Sequence, residues 1–202
     1  MSRTAFLVVD VQNDFVTGSL PVPGGADVAA AITAHLRAHP GRYALVAASQ
    51  DWHDPVGDNG GHFAAHGHDP DFVSTWPSHC VSGQPGSAYH PALDVTLVDD
   101  HFRKGQGAPA YSMFEAVDAD GHTLADALAA AGVTSVDVGG LATDYCVRAT
   151  ALDALRAGLH VRLLTDLAAG VAPETTAAAL DELAEAGVVL ATTADVRGLD
   201  SL

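Results

Sequence analysis

Basic residues are scarce in this 202-residue chain, which has nine lysines and arginines against 25 aspartates and glutamates. The formal net charge of −16 at pH 7 repels nucleic-acid phosphates and anionic membrane surfaces, so we expect neither as a partner. No apolar run reaches 18 residues, which excludes a membrane-spanning helix.

Cysteine is also rare, since the chain has only Cys80 and Cys146. Two cysteines do not make a disulfide framework. The first apolar run reaches Asp10 too early for a secretory signal peptide. We therefore expect a cytoplasmic protein, where a cysteine is more often catalytic or inert than bridged.

The apolar residues that are present predict a folded α/β protein. Hydrophobic residues make up 48% of the chain, which excludes intrinsic disorder, and the length predicts a single domain over residues 1–202. Six short apolar runs predict strands at 5–10, 43–49, 95–98, 135–139, 160–165 and 188–192. The first run is continuously apolar, as in a strand of a parallel sheet that is buried on both faces.

The segments between these runs have the apolar periodicity of helices. Apolar residues recur every three or four positions at Val28, Ile32 and Leu36, at Leu124 and Leu128, at Val147, Ala151 and Leu155, and at Leu180 and Leu183. Alternating strands and helices predict a mainly parallel sheet with helices on both faces.

The stretch from Asp51 to about Leu93 has no sustained period. It is rich in glycine, proline, aspartate and serine, and it holds both tryptophans and six of the eleven histidines. A loop of this length in a compact domain is usually functional or disordered, and its composition favours a functional loop.

Reactive side chains follow four of the predicted strands. Asp10, the Asp51-Trp52-His53 segment, Lys104 and Cys146 all come at or after the end of a strand. Ligands of open parallel sheets bind beyond the carboxyl ends of the strands. We therefore expect these residues to converge at one rim of the sheet.

Cys146 is the predicted nucleophile of this rim. It follows a Gly-Gly turn, and we expect Thr143 to cap a helix that holds Cys146 near its third position. The amide groups and dipole at such a helix start lower the pKa of a thiol. Asp10 could accept the thiol proton if burial raised its pKa, with Lys104 as the neighbouring cation. Cys80 lacks these neighbours and is expected to be inert.

A metal site is predicted in the long loop. The Asp51-x-His53 pair places both side chains on one face of an extended segment, and imidazole with carboxylate suits Zn, Fe or Mn. Spacing alone does not choose the further ligands, which are to be found among His62, His66, His68 and His79.

Several short motifs together resemble a known family. They are VDVQNDF at 9–15, DWH at 51–53, GHF at 61–63, WPSHCVSG at 76–83, RKG at 103–105 and GLATDYCV at 140–147. In this order they are similar to the nicotinamidases (pyrazinamidases) of the isochorismatase-like cysteine hydrolase superfamily, and they span most of the chain.

The resemblance implies a role for each matching residue. It implies Asp10, Lys104 and Cys146 as the catalytic set, and the N–H groups of Ala142 and Cys146 as an oxyanion hole. It implies one divalent metal and no organic cofactor, and it selects His62 and His79 to join Asp51 and His53 as ligands. It also implies a cis peptide between Leu141 and Ala142. The implied substrate-binding residues are Phe15, Trp76, Tyr111 and Leu141.

The resemblance further implies a fold and a reaction. The fold is a three-layer α/β/α sandwich with a mainly parallel six-stranded sheet and a long metal-binding loop. The reaction is deamidation of nicotinamide, and of pyrazinamide, through a Cys146 thioester, in NAD salvage.

Three alternatives stay open. They are an amidohydrolase of carbamoyl or ureido compounds, a vinyl-ether hydrolase of the isochorismatase type and a non-catalytic metal-binding protein on the same fold. Homo-oligomers are also possible.

Overall fold

The computed structural model describes residues 3–195. Its helices and strands are, in chain order, β1 (Thr4–Val9), α1 (Asn13–Val16), α2 (Gly25–Ala38), β2 (Leu45–Asp51), β3 (Asp100–Lys104), α3 (Leu124–Ala130), β4 (Ser135–Leu141), α4 (Arg148–Arg156), β5 (His160–Ala169), α5 (Pro173–Ala186) and β6 (Val189–Ala191). No helix of this described part is both long enough and apolar enough to cross a membrane.

The six strands form one parallel sheet in the order β3-β2-β1-β4-β5-β6. Strand β1 lies inside it, and its residues from Ala5 to Val9 are fully buried. Phe6 and Val8 face one hydrophobic core, whereas Leu7 and Val9 face the other. The prediction of a strand buried on both faces is therefore confirmed.

Helices cover both faces of the sheet and complete three layers. Helix α2 packs one face with Val28, Ile32 and Leu36. Helices α3, α4 and α5 pack the other face, for example through Leu128 and Leu183. Full burial of one such side chain stabilises the fold by roughly 1.5–3 kcal/mol. The predicted α/β/α sandwich with a six-stranded parallel sheet is confirmed.

The third strand was predicted at 95–98, and that prediction is wrong. Val95–Leu97 is a 3₁₀ turn, because the Asp94 side chain accepts a hydrogen bond from the backbone N–H of Thr96. The strand follows at Asp100–Lys104, on the edge of the sheet, where only Phe102 and Lys104 are buried. An edge strand with two inward side chains has no apolar run for a periodicity argument to detect.

The long loop between β2 and β3 is fixed to the sheet by side chains that follow β1. Gln12 donates to the carbonyl of Asp51 at 2.8 Å and accepts from the Asp51 N–H at 2.8 Å. Asp14 accepts from the N–H of Cys80 at 2.7 Å. These bonds hold the histidine-rich loop over the carboxyl ends of the strands.

Candidate active site

The strand ends bring the predicted reactive residues together. Asp10 directly follows β1 with a φ of 47°, and Asp51 and Lys104 are the last, mutually paired residues of β2 and β3. Cys146 lies in the segment after β4. From β1 the chain adds β2 and β3 on one side of the sheet, and it then adds β4, β5 and β6 on the other side of β1. Ligands of open α/β sheets bind at the point where the strand order reverses in this way.

A buried ammonium group links the acid and the thiol. Lys104, the only lysine in the sequence, has its Nζ 2.9 Å from Oδ2 of Asp10 and 3.6 Å from Sγ of Cys146. The same nitrogen donates to Oδ1 of Asp51 at 2.6 Å. Burial opposes the charge of Lys104, but the two carboxylates and Cys146 outweigh it and raise the pKa of the amine well above its usual value. Lys104 is therefore an ammonium group at neutral pH.

Burial also sets the protonation of the acid and the thiol. It raises the pKa of Asp10, against the opposing charge of Lys104. It raises the pKa of the Cys146 thiol well above its usual value, and the carboxylates of Asp10 and Asp51 add to this while Lys104 opposes it. The expected lowering of the Cys146 pKa is therefore wrong. The resting group is a thiol with a proton acceptor beside it.

The local backbone around Cys146 also differs from the expectation. Thr143–Val147 forms a π-helical segment that precedes α4, and its N-cap is Ala142 rather than Thr143. The carbonyl of Ala142 accepts hydrogen bonds from the N–H groups of Tyr145 and Val147. Cys146 is the fourth residue of this wider turn, and single π turns occur often at functional sites.

A second cluster shares Asp51 with the first. Asp51, His53, His62 and His79 are all buried, and one potential ligand atom from each lies within 4.8 Å of the others. Oδ2 of Asp51 is 3.5 Å from Nε2 of His53 and 3.6 Å from Nε2 of His79. Burial would raise the pKa of Asp51, but the ammonium of Lys104 acts against burial and helps to hold that pKa well below its usual value.

The remaining histidines of the loop lie apart from this cluster. The exposed residues His66 and His68 are not among the four clustered side chains of the described chain. The clustering thus favours His62 and His79 as the further ligands, which spacing left open.

The donor atoms of this cluster fit a divalent metal. Nδ1 of His53 lies 2.8 Å from the carbonyl of Gly105, and Nδ1 of His79 lies 2.7 Å from that of Pro77. A carbonyl only accepts, so each Nδ1 carries the proton and each Nε2 keeps its lone pair for a ligand bond. Both ring nitrogens of His62 are buried without a hydrogen-bond partner among the described residues. Three imidazoles and a carboxylate suit Zn, Fe or Mn.

A cavity of about 290 Å³ opens onto both clusters. Its lining includes four residues of the two clusters, namely Cys146, Asp51, His62 and His79. The aromatic side chains in its walls include Phe15, Trp76, Tyr111 and Tyr145. Nε1 of Trp76 donates to the hydroxyl of Tyr111 at 3.1 Å, which fixes both rings. The volume is at the lower end of the range for small-molecule sites, so the cavity suits a small planar ligand.

Leu141 and Ala142 lie differently with respect to the cavity. The peptide between Leu141 and Ala142 is cis, as the resemblance implies. Ala142 lines the cavity, but Leu141 is fully buried in the core beside α2 and is not among the described lining residues. Substrate binding by Leu141 stays a prediction, and the burial of its side chain in the core does not favour it.

Several site residues were missed by the sequence analysis. Ser49 is fully buried and donates to Oδ1 of Asp10 at 2.7 Å, and Gln12 fixes the backbone of Asp51. Tyr145 and Phe72 also line the cavity. Gln12 and Tyr145 lie within the quoted motifs, whereas nothing in the sequence pattern marks Ser49 or Phe72.

Cys80 is a free cysteine that is fully buried. Burial, reinforced by Asp51, Asp10 and Asp14, raises the pKa of its thiol well above the usual value. An inert role for Cys80 stays a prediction, and this environment favours it.

The chain matches the Isochorismatase domain family over residues 4–195. It belongs to the isochorismatase family. One member of known activity, the nicotinamidase/pyrazinamidase of Mycobacterium tuberculosis, is 50% identical over 187 residues, which cover 92% of this chain and 97% of that protein.

Solved structures of the family resemble the present fold closely. The L. infantum protein PnC1 in complex with nicotinate is 35% identical with a TM-score of 0.81, and the match covers 96% of this chain and 94% of that one. The pyrazinamidase of Pyrococcus horikoshii in complex with zinc is 36% identical with a TM-score of 0.79, over 94% of this chain and 99% of that one.

Proposed function

We propose that this isochorismatase-family chain hydrolyses nicotinamide to nicotinate and ammonia, with pyrazinamide as a second substrate. One observation carries the proposal: a cavity-lining thiol, Cys146, lies 3.6 Å from an ammonium that is itself 2.9 Å from the carboxylate of Asp10. The activities named for the relatives from M. tuberculosis and P. horikoshii, and the nicotinate of the L. infantum complex, support this substrate class.

The cavity is suited to a planar heteroaromatic carboxamide. Phe15 and Trp76 lie among its walls and would enclose the ring, while the carboxamide would face Cys146. Asp51, His53, His62 and His79 would hold a divalent metal, which when bound supplies a Lewis acid for the ring nitrogen. Because the proposed nucleophile is the sulfur of Cys146, the metal is not needed to activate a water for the first attack. Its role would be to position the substrate.

Attack begins with a proton transfer from Cys146 to Asp10. The raised pKa of the thiol keeps it protonated at rest, and burial raises the proton affinity of Asp10. As sulfur bonds to the amide carbon, the S–H proton moves to the carboxylate and the carbonyl electrons move to oxygen. The N–H groups of Ala142 and Cys146 would stabilise this oxyanion, typically by about 3 kcal/mol for each donor.

The same carboxyl group completes both halves of the reaction. Asp10 returns its proton to the amide nitrogen, the C–N bond breaks, ammonia departs and a nicotinoyl thioester remains on Cys146. Asp10 then takes a proton from water as the water attacks the thioester, the C–S bond breaks, and Asp10 returns that proton to the sulfur. The nicotinic acid releases its remaining carboxyl proton to solvent and leaves as nicotinate. Lys104 balances the charge of the carboxylates throughout. Because nicotinate is a precursor of NAD, we place the reaction in NAD salvage.

The test measures ammonia and nicotinate release by the metal-loaded protein, with a carbamoyl compound as the alternative substrate. We expect turnover of nicotinamide, and a nicotinoyl adduct on the Cys146 peptide when the reaction is quenched in acid and analysed by mass spectrometry. Turnover of the carbamoyl compound alone would overturn the substrate assignment. Turnover of nicotinamide with no adduct under single-turnover conditions would overturn the covalent route.

A further inference from the structure

One buried hydroxyl contacts Asp10 at two points. The hydroxyl oxygen of Ser49 donates to Oδ1 of Asp10 at 2.7 Å, and the same oxygen lies 3.3 Å from the backbone nitrogen of Asp10, which donates to it. Both residues are completely inaccessible to solvent. Ser49 belongs to β2, so the neighbouring strand fixes both the backbone and the side chain of the acid.

The directions of these bonds distinguish the two carboxylate oxygens. The backbone N–H of Asp10 can only donate, so the Ser49 oxygen accepts this hydrogen bond through a lone pair. The single hydroxyl proton of Ser49 is then donated to Oδ1 of Asp10. Oδ2 has a different neighbour, the ammonium of Lys104 at 2.9 Å. That ammonium also lies 3.6 Å from Sγ of Cys146, so Oδ2 and the thiol share it as a neighbour.

We propose that Ser49 is a positioning residue for Asp10: its hydroxyl holds Oδ1 and thereby reserves Oδ2 for the proton that Asp10 takes from Cys146 and later returns. In the transfer the S–H bond breaks and an O–H bond forms on Oδ2, while Oδ1 keeps the hydrogen bond from Ser49. Without the Ser49 hydroxyl, the Asp10 carboxylate can rotate, and Oδ1 and the backbone N–H of Asp10 lose their hydrogen bonds to it. We therefore expect proton transfer between Cys146 and Asp10 to slow. The kinetic consequence rests on the proposed function.

Ser49→Ala and Ser49→Thr test the hydroxyl, and Ser87→Ala is the matched control. Ser87 is equally buried, but its hydroxyl donates to the carbonyl of Gln84. We expect Ser49→Ala to lower kcat for nicotinamide about 10-fold to 100-fold with KM changed less than about twofold, because a hydrogen bond to a charged group is lost. Ser49→Thr restores the hydroxyl and should keep most of kcat, and Ser87→Ala should leave both constants unchanged.

A second measurement is independent of nicotinamide turnover. Iodoacetamide alkylates Cys146 only after the thiol has lost its proton, and peptide mass spectrometry follows the Cys146 peptide separately from that of Cys80. We expect Ser49→Ala to slow alkylation of Cys146 by a factor similar to the loss in kcat, and Ser49→Thr to restore it. If the parent protein hydrolyses no nicotinamide, the proposed function fails while alkylation still decides the role of Ser49.

Three results would overturn the inference. They are full kcat and full alkylation rate in Ser49→Ala, an increase in KM alone, and a Ser49→Thr variant as impaired as Ser49→Ala. If Ser49→Ala does not fold by circular dichroism, Ser49→Cys replaces it, because a thiol of similar size donates a weaker hydrogen bond. An intermediate kcat is then expected, and parental kcat and alkylation rates in Ser49→Cys would count against the role of the hydroxyl.

Discussion

Asp51 and Lys104 end two adjacent strands as paired residues, and Oδ1 of Asp51 accepts a hydrogen bond from Nζ of Lys104 at 2.6 Å. The other oxygen of Asp51 faces Nε2 of both His53 and His79. One carboxylate thus joins the candidate metal ligands to the ammonium beside the thiol. The two clusters of the site are rigidly connected through a single side chain.

Loss of the ammonium should destabilise the fold. Lys104→Gln leaves the carboxylates of Asp10 and Asp51 buried without their cation, so we expect the free energy of unfolding to fall by about 3–5 kcal/mol. Urea denaturation measures this loss. The control Arg37→Gln removes an exposed ion pair with Asp94 and should cost at most about 1 kcal/mol. Equal losses in the two variants would contradict the importance of the buried cation.

Removal of the thiol should separate binding from turnover. We expect Cys146→Ala to abolish nicotinamide hydrolysis while nicotinamide binding and metal content stay at parental levels, because sulfur is needed only to form the covalent bond. Calorimetry with nicotinamide and elemental analysis provide the measurements. Residual activity at the parental rate would rule out Cys146 as the nucleophile. Cys80→Ala, at the other free cysteine, should keep the activity.

Two histidines of the same loop should respond differently to substitution. His53→Ala removes one of the four clustered donors, so we expect the metal affinity to fall at least about tenfold and nicotinamide binding to weaken. His66→Ala changes an exposed ring outside the cluster and should retain the metal. Elemental analysis after dialysis distinguishes the two variants. Parental metal content in His53→Ala would remove His53 from the ligand set.

The pH dependence of stability should include a contribution from His35, far from the metal ligands. Burial lowers the pKa of His35 to about 4, and Nε2 of the ring lies 2.8 Å from the hydroxyl of Tyr43. Between pH 6.5 and 4 the unfolded chain takes up a proton that the folded chain does not, so stability falls as the pH decreases through this window.

His35→Gln isolates this contribution. From pH 7 to pH 5 the parent should lose about 1–2 kcal/mol more of its free energy of unfolding than the variant does. Urea denaturation at the two pH values measures the difference. His66→Gln, at an exposed position, should follow the parent, and a His35→Gln variant with the parental pH dependence would contradict the assignment.

The sequence predicted the parts of the fold in which local pattern and tertiary burial agree. Strand β1 is continuously apolar because both of its faces are buried, and the repeat of Val28, Ile32 and Leu36 faces the core from α2. The reactive side chains at or after the predicted strand ends likewise predicted that Asp10, Lys104 and Cys146 converge. The edge strand β3 escaped detection because its inward side chains are only Phe102 and a buried lysine.

Other features depend on contacts between distant segments. The choice of His62 and His79 over His66 and His68 depends on where the loop folds back, and spacing contains no information on this. The raised pKa of Cys146 results from burial, which outweighs the helix start and the nearby cation that local reasoning emphasised. Ser49 acts on a residue 39 positions earlier in the chain, so no motif could reveal it.

The burial of Lys104 has a consequence for chemical labelling. Its side chain is fully enclosed, and the sequence has no other lysine, so the folded surface offers no ε-amino group to acylating reagents. Acylation of this one side chain therefore requires the rim of the sheet to open. Its rate, followed under native conditions, would report how often the interior of the site becomes accessible to solvent.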